Sequence, residues 1–157
     1  MDKGSDLKSV FRTTLIINVA MVASLFLYAL MVELIKAQLR PFPGFASGAR
    51  PEIWRYVFYA AAVGAVVLVR FVGRAMLKTF PEESAHQLIA RLGRATVMTA
   101  ALGELPALFG FFLFFLTGFS RDFFILMFVS LFLEFMYFPR LKVWQDAVRE
   151  RFPQQGI

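Results

Sequence analysis

Residues 13–32 form an apolar run without a single charge. At 1.5 Å per residue, about 20 residues of helix cross a hydrocarbon core of about 30 Å. The run is longer than the apolar part of a signal peptide and leads into Val32, Glu33 and Leu34 with no small-x-small cleavage pattern. It therefore reads as a first transmembrane helix that stays in the chain.

Three more runs follow. The second, 53–76, opens with Trp54 and Tyr56 as interfacial anchors, is uncharged over 56–69 and contains Arg70. The third, 95–119, is interrupted only by Glu104 and Pro106, and the fourth, 122–138, is the shortest, holds Glu134 and ends before Pro139. The expected fold is all-α: one polytopic domain over 1–157, a four-transmembrane-helix bundle with spans at about 13–35, 53–76, 95–119 and 122–138. The composition agrees, with 59% hydrophobic residues, twenty phenylalanines and a mean hydropathy of +0.64. A small soluble core could not hide that much apolar surface, so membrane lipid is the expected surrounding.

The formal net charge is +6, yet the basic residues stand at the borders of the apolar runs instead of forming a stripe, which argues against nucleic acid. The N-terminal segment, the 77–94 connection with its flanks and the 139–157 tail hold about twelve Lys and Arg, against about five on the other side. The excess predicts both termini in the cytoplasm, 36–52 as an extracytoplasmic loop, and a bacterial cytoplasmic (inner) membrane as the location. Pro41, Pro43, Gly44, Ser47, Gly48 and Pro51 make 36–52 irregular. In 77–94, Pro81 followed by Glu82 and Glu83 can start a helix that extends the third span into the cytoplasm. In the tail, Leu141, Trp144, Val148 and Phe152 share one face, which predicts an amphipathic helix lying on the membrane surface.

The chemically informative residues are the charges within the spans, because an ionisable group at bilayer depth usually persists only where it is paired or used. Arg70, Glu104 and Glu134 all fall in the half of the membrane nearest the cytoplasm. If their helices are neighbours, Arg70 can pair with Glu104 or Glu134; a structural salt bridge and a snorkelling arginine are the alternatives to an ion-handling role. Ala100, Gly103, Ala107 and Gly110 share one face of the third span, and Ala60 and Gly64 with Ala61 and Ala65 offer a matching surface on the second. Pro106 leaves the Leu102 carbonyl free within a turn of Glu104, where a carboxyl beside a free carbonyl can hold a proton or a small cation.

The stretch Ala100, Ala101, Leu102, Gly103, Glu104, Leu105, Pro106, Ala107, Leu108, Phe109, Gly110, Phe111 resembles the ion-carrying helix of the c subunit, or proteolipid, of rotary ATP synthases. Phe80, Pro81 and Glu82 are similar to the polar turn of that hairpin, and the resemblance covers about residues 56–119. It implies that Glu104 is an ion-binding carboxylate. The chain differs in having only Gly64 and Gly73 on the second span, Arg70 within it, and flanking spans on either side of the hairpin.

No nucleotide loop, catalytic triad or metal-ligand cluster stands out, there is no cysteine, and His86 is the sole histidine. The expectation is a non-enzyme without a cofactor. It would be a small membrane subunit or scaffold in a homo- or hetero-oligomer, with proteolipid-like proton or cation binding at Glu104 as the alternative. Ser130 is expected to bond a preceding carbonyl of its own helix, and the phenylalanine-rich third and fourth spans to face lipid.

Overall fold

A computed structural model describes residues 3–39, 41–46, 50–76 and 84–152, and every regular element among them is an α-helix. The helices are α1 (Lys3–Gln38), α2 (Pro51–Met76), α3 (Ala85–Thr117), α4 (Ser120–Met136) and α5 (Leu141–Arg151). Three of them, α1, α2 and α3, are long and apolar enough to cross a membrane; α4 and α5, joined at a bend of 44°, pass the same test only as a pair.

The ends follow local chemistry. Proline opens α2, where its missing N–H has no partner to lose. Ser84 caps α3 through a reciprocal pair, its hydroxyl accepting from the Gln87 N–H at 3.3 Å while Gln87 accepts from the Ser84 N–H at 3.0 Å. The expected start of this helix at Pro81 to Glu83 lies outside the described residues, but its extension ahead of residue 95 is present. Gly118, with φ 75°, closes α3 in the left-handed conformation.

Two helices exceed the expected spans. With 36 residues, α1 is about 54 Å long, and α3, with 33, is about 50 Å. Both are longer than one bilayer core of about 30 Å requires, and their N-terminal turns meet α5. There Leu7 of α1, Leu88, Ile89 and Leu92 of α3, and Trp144 and Val148 of α5 form a buried cluster. Phe11 meets Trp144 edge-on at 5.4 Å between ring centres. The tail helix is amphipathic as expected, but its apolar face is buried against protein, with Val148 fully hidden, so it does not lie apolar side down on the bilayer. The contact also puts the start of α1 and the last helix at the same end of the molecule.

Below this cap α3 is the central helix, packing against α1, α2, α4 and α5. A second cluster joins Leu25 and Val32 of α1, Ala107 and Phe114 of α3, and Phe123 and Met127 of α4. The phenylalanines thus divide. Phe114 and Phe123 are fully buried, whereas Phe112, Phe128, Phe132 and Phe135 are more than half exposed and suit a lipid surrounding. Lipid contact accounts for only part of the aromatic excess.

At the opposite end the α1–α2 connection is fastened to the end of α3. Phe45 and Ala46 donate their N–H groups to the carbonyls of Phe115 and Leu116 at 2.8 and 3.0 Å. These are carbonyls that the last turn of a helix leaves without a partner. The approach requires glycine twice: Gly44 (φ 83°) and Gly118 lie back to back, and a Cβ on either would collide with the other strand's backbone.

Candidate intramembrane carboxyl site

The middle of α3 is built to let a neighbour come close. Ala100, Gly103, Ala107 and Gly110 recur at three- and four-residue spacing, and all four are buried. Their partner is α4. A Cβ on Gly110 would stand 3.0 Å from the Leu126 Cβ and 3.1 Å from the Phe123 Cα, and one on Gly103 would stand 3.4 Å from Glu134 Oε1. The matching surface expected on α2 is present only in part: Ala65 is buried, with Ala62 and Val69, but Ala60 and Gly64 are exposed, and nothing lies within 4 Å of the Gly64 Cβ position. The alanines of α2 surround the helix, so composition does not say which of them face inward.

Pro106 disturbs the α3 backbone beside this contact, and α4 supplies the repair. Ser130 Oγ accepts the Ala107 N–H at 2.8 Å and lies 3.4 Å from the Glu104 carbonyl, to which it can donate. This replaces the expected bond to a carbonyl of its own helix, because a proline-disrupted turn offers a donor that an intact helix does not.

Two carboxyls flank the repaired turn. Glu104 projects toward α1, where Ser24 Oγ and Tyr28 OH donate to its Oε1 at 2.5 and 2.7 Å. Glu134, one turn beyond Ser130 on α4, is 2% exposed and lies over Gly103, within electrostatic reach of Glu104. Neither of its oxygens has a hydrogen-bond partner among the described residues. Small residues at Gly103 and Ala107 make room for this arrangement.

Arg70 is not part of it. Among the described residues it makes no ion pair with Glu104 or Glu134; it is exposed and lines a cleft near the end of α2. Arg70 instead faces outward near the end of α2, where a long basic side chain can reach the interface. Glu33 forms an exposed i,i+3 pair with Lys36 at 2.7 Å.

Sequence reading passed over Ser24 and Tyr28. Their signal was their register: in an otherwise apolar helix, the polar side chains Thr14, Asn18, Ser24 and Tyr28 lie along one side together with buried Leu25 and Val32. It also passed over a second charged cluster. Asp122, 2% exposed in the first turn of α4, receives Arg55 Nε at 2.9 Å and Arg55 Nη2 at 3.0 Å, and accepts from Tyr59 OH at 3.0 Å. This two-pronged arginine contact ties the start of α2 to the start of α4 at the end opposite the cap.

The architecture defines an all-α protein with three or four helices suited to crossing a membrane. No group of three or more metal-ligating side chains lies among the described residues. No family model, no curated protein and no solved structure matches this chain.

Proposed function

We propose that this chain is a multi-pass protein of the bacterial cytoplasmic membrane, acting as a small subunit of a membrane assembly whose Glu104 and Glu134 pair binds and releases a proton. The carrying observation is Glu134: both oxygens are buried against the small-residue face of α3, with no hydrogen-bond partner among the described residues. A carboxylate in that position would cost far more than a neutral acid, and an ionisable group inside a membrane is by default a functional one.

Ser24 and Tyr28 give Glu104 a polar setting on α1: both hydroxyls donate to its Oε1, and the Ser24 oxygen also lies 2.6 Å from the Met21 carbonyl.

The resemblance of residues 100–111 to the proteolipid helix agrees with this role for Glu104. Ser24, Tyr28 and Glu134 come from helices outside that hairpin. The cytoplasmic assignment of the capped end rests on its excess of Lys and Arg.

A hydrophobic carbodiimide, which modifies protonated carboxyls in lipid, tests the proposal. Labelling of the full chain in membranes at neutral pH should map to Glu104 or Glu134 and fall at high pH. Loss of labelling with sodium at constant pH would convert the proton site into a cation site. Absence of label at both residues would remove the proposal, leaving a scaffold without ion chemistry.

A further inference from the structure

A cleft of about 590 Å³ opens where the end of α2, the first half of α3 and the α4–α5 bend come together. Arg70 and Arg74 of α2 and Arg140 of the bend line it, and all three are exposed. None forms an ion pair with a carboxylate among the described residues, so three cations share one concavity. The remaining walls are largely apolar, including Leu92, Val143 and Trp144. These arginines stand where the apolar helices end and the cap begins, which is the depth of the headgroups in a bilayer.

We propose that this cleft binds an anionic phospholipid of the surrounding membrane, the guanidinium groups holding its phosphate and the apolar walls receiving the upper part of its acyl chains. Guanidinium is suited to the task because its planar donors match phosphate oxygens in pairs, and basic pockets between transmembrane helices are a recurring setting for acidic headgroups. A soluble phosphate would leave the apolar walls wet, so the lipid is the occupant that uses the whole cleft. The site is separate from the carboxyl pair and requires only that the helices lie in a bilayer.

Trp144 makes the cleft observable. In a full-length W54F variant it is the sole tryptophan. This protein is reconstituted into phosphatidylcholine vesicles holding a small fraction of lipid brominated near the headgroup end of its chains, either phosphatidylglycerol or phosphatidylcholine. The expected result is stronger quenching of Trp144 by the brominated phosphatidylglycerol than by the same fraction of brominated phosphatidylcholine. Each of R70Q, R74Q and R140Q should lower that preference by about fivefold, while R121Q, at the other end of the molecule, leaves it unchanged. Equal quenching by the two lipids would overturn the proposal, as would a preference that survives the triple substitution. Relief of quenching by millimolar inorganic phosphate at constant ionic strength would also overturn it in favour of a free-phosphate site.

Discussion

Glu134 and Asp122 are both buried acids on α4, and their surroundings treat them in opposite ways. Asp122 has three donated contacts, from Arg55 twice and from Tyr59, whereas Glu134 has none among the described residues. An unsatisfied buried polar group costs about 1–3 kcal/mol. Glu134→Met, of similar volume, should therefore raise the thermal unfolding temperature in detergent while abolishing any carbodiimide reaction at this position. A lower unfolding temperature would mean that the carboxyl is partnered in the membrane. For the Arg55 pair the expected asymmetry follows exposure: Asp122 is buried and Arg55 is half-exposed. Arg55→Gln strands a buried charge and should destabilise by roughly 1.5–3 kcal/mol. Asp122→Asn leaves an arginine that can turn to solvent, and should cost less in the same melts.

At the scale of the helix, space around each glycine decides what a methyl group does. Gly110→Ala pushes a Cβ against the backbone of Phe123 and should destabilise by about 1–3 kcal/mol, as overpacking does. Gly64→Ala enters open space and should stay within about 1 kcal/mol of the parent, the intrinsic gain of alanine in a helix acting in its favour. Equal effects would mean that the α3–α4 contact is looser than its geometry. The inward stripe of α3 was legible in the sequence because small residues there repeat at helical spacing between larger ones. On α2 the alanines are too many to mark a direction, so Ala60 and Gly64 were assigned inward and face out. For α1 and α4, apolar on nearly every side, only the placement of the few polar side chains distinguishes inside from outside.

The whole molecule has two cores of different character, one between apolar helices and one in the cap. The first was legible because uncharged runs of sufficient length admit few other folds. The second was not, since Leu7, Leu88 and Val148 lie in charged segments, where an apolar helical face suits a bilayer surface as well as a protein neighbour. Removal of residues 139–157 should uncover Leu7, Leu88 and Ile89 and make the N-terminal turns of α1 and α3 more sensitive to protease, while, on the membrane reading proposed above, the apolar parts of the helices stay protected. On the topology proposed above, a fluorescent protein joined to residue 157 should fluoresce, and alkaline phosphatase at the same place should be inactive.

The back-to-back glycines at 44 and 118 impose an order on biogenesis. The connection after α1 finds its docking carbonyls only when Phe115 and Leu116 have been synthesised, so for the interval in which α2 and α3 leave the ribosome that connection has no fastening. On the topology proposed above, a nascent chain arrested before residue 115 should be cut at residues 42–46 by an external protease more readily than one released after residue 118. The first hairpin of this protein would then be secured late, by a part of the chain more than sixty residues downstream.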